Sequence, residues 1–170
     1  MKSLPKNAAA ITSEWIRADL LSLHEFYELL RFRQQIFVVE QGSPYPDLDG
    51  LDLAAWHLRL RAEPGALAGY LRLLPPPDAG PAAPVRIGRV AVAASRRRLG
   101  LGRRLMTEAL DFCRARYPGR TVALAAQAHL AGFYQGLGFV AASAPYDDFG
   151  VPHVEMTLDK LAPGAICAYP

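Results

Sequence analysis

The chain has 170 residues, 51% of them hydrophobic and 21% charged, which suits a folded globular domain and excludes a disordered one. Its formal net charge of +3 is too small an excess to require nucleic acid, and no apolar run approaches the ~18 residues that span a bilayer.

Taken in chain order, Lys2 and Lys6 precede Ala8-Ala9-Ala10-Ile11, which gives way at once to Thr12, Ser13 and Glu14. This is too short and polar for a secretory signal, so a cytoplasmic location is expected. Ser22-Leu23-His24-Glu25 has capping-box form, and Leu23, Phe26, Leu30 and Phe37 recur at helical spacing, predicting a helix over 23–38. Residues 41–53 hold Gly42, Pro44, Pro46 and Gly50 with Asp47, Asp49 and Asp52, a loop rich in turns. Residues 55–61 alternate Trp56, Leu58 and Leu60 with His57, Arg59 and Arg61, and 67–74 form a second strand after a Glu63-Pro64-Gly65 hairpin turn. A Pro/Gly/Ala-rich excursion over 75–84 is expected to be an exposed loop.

The third strand, 85–93, is interrupted by Gly88. Leu99 or Gly100 then opens a helix reaching about Arg116, with Leu101, Leu105, Leu110 and Phe112 on its apolar side and Tyr117-Pro118-Gly119 as its stop. Residues 121–126 form a short strand, 130–136 a short helix ended by Gly136 or Gly138, and 139–142 and 154–158 two closing strands. The tail 161–170 carries Pro163, Gly164 and Pro170 and is expected to be irregular and peripheral. Cys113 and Cys167 make no disulfide framework and are read as reduced thiols. Strands and helices are mixed without strict alternation, so the fold class is α+β with a largely antiparallel sheet and one helical crossover. There is no repeat or linker, and one domain over 1–170 with a core of about 14–160 is expected.

The informative segment is 88–105, GRVAVAASRRRLGLGRRL. A strand ends, a basic turn follows, and a helix begins at two glycines. Unpaired N–H groups of a helix's first turn and its dipole form an anion site. Gly100 and Gly102 allow close approach to the backbone, and Arg96, Arg97, Arg98, Arg103 and Arg104 add charge. A Walker loop would require Lys-Ser/Thr where Arg103-Arg104 stand, and a dinucleotide motif would require glycine where Leu105 stands.

The order Arg97-Arg98-Leu99-Gly100-Leu101-Gly102 matches Gln/Arg-x-x-Gly-x-Gly/Ala and resembles the pyrophosphate signature of the GNAT superfamily of acetyltransferases. The segment AHLAGFYQGLGFV (128–140) resembles its later motif, a short tyrosine-bearing helix ending in Gly-Phe. Together with RQQIFVVEQGSPYPDLDGLD (33–52), IGRVAV (87–92) and GVPHVEM (150–156), most of the chain resembles the ElaA-like branch of that superfamily.

The resemblance implies a GNAT fold, its central sheet splayed at the cofactor site and flanked by helices. It implies a single co-substrate, acetyl-CoA, and no metal. The pantetheine arm would meet the backbone of Val90, Ala91 and Val92. The pyrophosphate would meet Arg97, Arg98, Leu99, Gly100, Leu101, Gly102 and Arg103, with Phe133 beside it. Tyr134 takes the place of the acid that protonates the thiolate, and Tyr45, Asp49, Gln127 and His153 are expected at the acceptor. The partner is then a small-molecule or peptide amine, with neither nucleic acid nor membrane, and a homodimer is compatible.

A lysine-like amine of pKa ~10.4 costs about 4.6 kcal/mol to deprotonate at pH 7, so a base is needed. The strand 85–92 carries no acid. Glu40, Asp47, Asp49, Asp52, His57, His129 and His153 are the candidates, and Glu40 is favoured because it closes the first helix beside the acceptor loop. The acidic loop 47–52 itself suggests a cationic acceptor. Two other classes compete: a CoA-binding sensor without catalysis, which would not need Tyr134, and a nucleic-acid domain using residues 96–104. The second would call for aromatic side chains that the segment lacks.

Overall fold

The computed structural model describes residues 10–62, 65–77 and 83–159. The expected tail at 161–170, Cys167, the Glu63-Pro64 part of the hairpin turn and residues 78–82 of the proline-rich excursion lie outside them. The described chain forms β1 (Ile11–Arg17), α1 (Leu23–Gln34), β2 (Trp56–Ala62), β3 (Ala66–Leu74), β4 (Val85–Val92) and α2 (Leu101–Arg116). It continues as β5 (Val122–Gln127), α3 (Ala131–Gln135), β6 (Val140–Ala141), β7 (Tyr146–Asp148) and β8 (Val151–Leu158). The eight strands make one sheet in the order β1-β2-β3-β4-β5-β8-β6, with β7 paired to β8. Every pairing is antiparallel except β4 with β5, which α2 connects, as a parallel pair requires.

The strands β1 and β7 were not expected. Only Trp15 of β1 is buried, so its Thr12-Ser13-Glu14 run carries no hydrophobic alternation. It is held by its full register with β2, Trp15 opposite Leu58, and by the Trp15 ring stacked at 4.1 Å on Phe112.

One face of the sheet packs Trp56, Leu58, Leu60, Leu71 and Leu73 against Leu105, Met106 and Phe112 of α2. The alternation seen over 55–61 predicts a polar outer face for the odd-numbered residues of β2, yet His57 and Arg59 are also buried. Helix α1 lies over them. Glu25 and Glu28 of α1 bind Arg59 and Arg61 at 3.1 and 2.9 Å, and Glu14 binds Arg59 at 2.7 Å. The capping box forms as read: Glu25 N donates to the Ser22 hydroxyl, and Ser22 N to the Glu25 carboxylate. The Ser22 hydrogen bonds first, and Arg59 after them, bring the Glu25 carboxyl down to about 2. Past Gln34 the helix widens into a π-helical turn, Gln35–Glu40, an irregularity that often marks functional sites.

The sheet opens at its centre. The strands β4 and β5 pair only at Val85↔Val122 and Arg86↔Ala123. Beyond that point β4 bulges: Arg72 opposes Gly88 and Tyr70 opposes Ala91, so Arg89 and Val90 together face Leu71. The residue in the left-handed region is Arg89, with φ 54°, and not the glycine that the sequence offers next to it. Such a residue costs about 1–2 kcal/mol.

Candidate active site

The divergence of β4 from β5 leaves a cavity of about 210 Å³, room for a reacting head group and not for a whole coenzyme. Its walls come from the bulge (Gly88, Arg89, Val90), from β5 (Leu124, Ala125, Gln127), and from Tyr134 of α3 and His153 of β8. Phe37 of the π turn and Tyr45 of the following loop close the remaining side. Gln127 Nε2 donates to Gln41 Oε1 at 3.2 Å, tying β5 to the end of the π turn.

Tyr134 is 7% exposed, its ring edge-on to Phe133 and Phe139 at 5.0 and 6.1 Å. Burial alone pushes its hydroxyl up to about 12. The hydroxyl has no hydrogen-bond partner among the described residues, yet it is not one of the buried orphaned polar atoms. It therefore opens onto the cavity.

The loop before β2 is fixed by ions. Arg33, fully buried, binds Asp47 at 3.1 Å, the Asp47 carbonyl at 2.7 Å, and Asp52. Arg72 binds Asp49 at 2.6 Å and Asp52 at 2.9 Å, and Arg89 binds Asp47 at 2.8 Å and Asp49 at 3.1 Å. The Arg89 guanidinium lies 4.7 Å from the centre of the Tyr45 ring, and these contacts offset the strain of its backbone. Burial opposes ionisation of Asp49, but the Arg72 hydrogen bonds hold its carboxyl well below the usual range. All three aspartates are thus spent on arginines, so the acidic loop has no charge left for a cationic acceptor.

At the other end of β4, Arg98 (φ 64°) and Gly100 (φ 77°) turn the chain into α2. The first intrahelical bond runs from Arg104 N to Gly100 O, so the N–H groups of Leu101, Gly102 and Arg103 lack helical acceptors. A Cβ at Gly102 would meet only Phe133, at 3.8 Å. That contact joins the turn to the helix carrying Tyr134. A phosphate fits here: bare glycine backbone, free N–H groups and exposed arginines converge at one helix start.

Of the expected site residues, the cavity lining brings together Val90, Tyr134, Tyr45, Gln127 and His153. Ala91 and Val92 lie on β4 paired with Tyr70 and Gly69, outside the lining. Residues 97–103 and Phe133 form the separate turn. Glu40 and Asp49 are not in the lining. The Glu40 carboxylate is bound at 2.6 Å to Arg97, whose Nε donates to the Val92 carbonyl. The sequence reading missed Arg33, Arg72 and Arg89. The signal available was three arginines inside hydrophobic or strand-like runs, which a folded chain tolerates only with buried partners. Among the described residues there is no helix long and apolar enough to cross a membrane and no cluster of ligating side chains that could hold a metal.

A family model for the acetyltransferase (GNAT) domain matches residues 55–160. Protein ElaA of Escherichia coli is 39% identical over 151 residues, covering 87% of this chain and 97% of that protein. The crystal structure of Escherichia coli ElaA superposes with a TM-score of 0.81, covering 88% of this chain and all of that one. The crystal structure of an acyl-CoA N-acyltransferase from Pseudomonas aeruginosa also superposes with a TM-score of 0.81, at 38% identity over 88% of this chain and 99% of that chain.

Proposed function

Because the chain belongs to the GNAT family of acetyltransferases, with ElaA as a relative in sequence and fold, we propose that it moves the acetyl group of acetyl-CoA to a primary amine. The acceptor is a small molecule or peptide, and the amine attacks the thioester directly. The observation that carries this reading is the buried Tyr134, whose hydroxyl opens unpartnered onto the cavity where β4 leaves β5.

The pyrophosphate rests on the N–H groups of Leu101, Gly102 and Arg103, with Arg97 and Arg98 beside it. The pantetheine arm runs along β4 beyond Arg86, where β5 no longer pairs with it. A backbone N–H of the segment 90–92 holds the tetrahedral oxyanion, and Tyr134 donates its proton to the departing sulfur. No acyl-enzyme is needed. Cys113 is buried in the core and its thiol is pushed up to about 12, which suits a packing role.

The test is release of CoA thiol from acetyl-CoA on addition of each member of a primary-amine panel, with binding of acetyl-CoA and of DNA measured separately. Thiol release dependent on one amine class, with the amide product seen by mass spectrometry, is expected. Binding of acetyl-CoA without turnover on any amine favours the sensor, and binding of DNA alone removes the site assignment.

A further inference from the structure

We propose that His153 is the general base that removes the proton of the acceptor ammonium. The inference rests on the acetyl-transfer reading above and adds the residue that reading leaves unassigned.

The chain has four histidines, and their settings differ. His24 and His129 are exposed and outside the cavity lining. His57 is fully buried with both nitrogens engaged. Its Nε2 lies 3.0 Å from the Asp52 carbonyl, which can only accept, so Nε2 carries the proton and Nδ1 accepts from the Tyr70 hydroxyl at 2.7 Å. His153 is arranged the other way round. Its Nδ1 lies 2.8 Å from the Val151 carbonyl, so Nδ1 carries the proton and Nε2 keeps its lone pair. That Nε2 has no partner among the described residues, and the side chain lines the cavity.

The surroundings suit a base. Residue 153 stands on β8 opposite Gln127 of β5 and lines the same cavity as Tyr134. From β7, the Asp148 carboxylate lies 3.9 Å from Nδ1, and the Tyr146 ring centre lies 6.3 Å away. The cations of the cavity wall are each held by carboxylates: Arg72 by Asp49 and Asp52, Arg89 by Asp47 and Asp49, and Arg86 by Glu155 at 2.9 Å. The other candidates are occupied. Glu40 is paired with Arg97, and Asp47, Asp49 and Asp52 serve the buried arginines. An imidazole with one ring nitrogen unprotonated and open to the cavity is also a group able to take the proton.

The proton count closes. The ammonium gives one proton to His153 Nε2, directly or through one water, and the neutral nitrogen forms the N–C bond. As the C–S bond breaks, the sulfur takes the Tyr134 hydroxyl proton, and the second nitrogen proton restores that hydroxyl. His153 returns its proton to solvent.

The experiment measures CoA release from acetyl-CoA over pH 6–10 with 1,5-diaminopentane and a lysine peptide as acceptors, for wild type, His153→Asn and His153→Gln. Acetyl-CoA affinity serves as the control for folding. The asparagine amide can still donate to Val151 but offers no base. At pH 7 its kcat should fall on the order of 10²-fold or more with acetyl-CoA affinity unchanged. The deficit should shrink about tenfold per pH unit as the amine, of pKa ~10.4, deprotonates itself. Wild type should level off above an acidic limb, whereas both variants should keep rising with pH over the whole range. A deficit that does not change with pH, wild-type turnover at pH 7 in either variant, or a wild-type profile without that limb overturns the assignment of His153 alone. A wild-type protein that acetylates no amine removes the transferase reading, and this inference with it.

Discussion

Replacement of Tyr134 by phenylalanine isolates one oxygen atom. The ring stays packed between Phe133 and Phe139, and the hydroxyl gives up no hydrogen bond to a described residue, so stability should change by less than about 0.5 kcal/mol. A hydrogen-bonded core hydroxyl would cost about 1 kcal/mol. The effect on rate follows from the pKa. Burial pushes the hydroxyl up to about 12, so it remains protonated throughout pH 6–10, whereas a thiol titrates near ~8.5. Full transfer to the thiolate, leaving a free tyrosinate, would be uphill by roughly 5 kcal/mol. The hydroxyl therefore works best when it gives a proton to sulfur while regaining one from the nitrogen. That places the loss in Tyr134→Phe toward the low end of general-acid effects, on the order of 10²-fold in kcat, with acetyl-CoA affinity nearly constant. Steady-state CoA release and calorimetric titration of acetyl-CoA measure the two quantities. Wild-type turnover in the folded variant would refute the assignment, and a matched loss in acetyl-CoA affinity would mean that the hydroxyl binds the coenzyme instead.

Three further perturbations probe the rest of the site and its frame. Gly102→Glu meets only the edge of Phe133 and puts a carboxylate at a helix N-terminus, so the melting temperature should hold while the added negative charge weakens acetyl-CoA binding at least about tenfold; unchanged affinity would move the pyrophosphate elsewhere. Gly100 is a poorer probe, because any side chain at φ 77° strains the turn whether or not a phosphate lies there. Arg33→Met leaves Asp47 and Asp52 with only Arg89 and Arg72, and should cost about 3 kcal/mol in urea unfolding; a loss below ~1 kcal/mol would show that the network contributes little. Burial holds the His57 pKa at about 4, below the unfolded value of 6.5. The unfolded state then binds more protons between those values, so stability present above pH 6.5 is lost as pH falls to 4, by about 3 kcal/mol. Denaturation midpoints that do not change across that window would refute the burial argument.

The elements that bury one hydrophobic stripe were legible, and those held by ions were not. The helix at 101–116 shows Leu101, Leu105, Leu110 and Phe112 at helical spacing and forms within a residue or two of its expected bounds. The capping box at Ser22 and Glu25 forms as read because it depends only on neighbours in sequence. The strand β1 escaped because its pairing with β2 runs through backbone hydrogen bonds, with a single buried side chain to announce it. The Arg89 bulge escaped for a related reason: the interruption of the strand is expected at Gly88, yet the chain places its positive φ one residue later, where the arginine can reach Asp47 and Tyr45. Alternation over 55–61 was read correctly as a strand, but hydrophobicity cannot say whether a polar face meets water or a helix bearing the opposite charge. Here it meets Glu25 and Glu28.

The same limitation bears on recognition. In sequence, Asp47, Asp49 and Asp52 form a run of acid beside the acceptor loop and suggest a cationic ligand. Their partners, Arg33, Arg72 and Arg89, are supplied by a helix and two strands, 14 to 42 residues away in sequence, so no local window contains the compensation. Once the pairs close, the network makes no net charge for a ligand, and its rigidity is what remains: it fixes Tyr45 against Arg89 and aims the loop at the cavity. The carboxylate left in the lining is Asp148, which has no arginine partner among the described residues and stands beside His153. In the proposed mechanism, attraction for an ammonium and removal of its proton would both come from the β7–β8 hairpin, and the thioester would lie along the β4 bulge. Tyr45, Gln41 and Gln127 line the same cavity, where the Gln41–Gln127 hydrogen bond links the end of the π turn to β5.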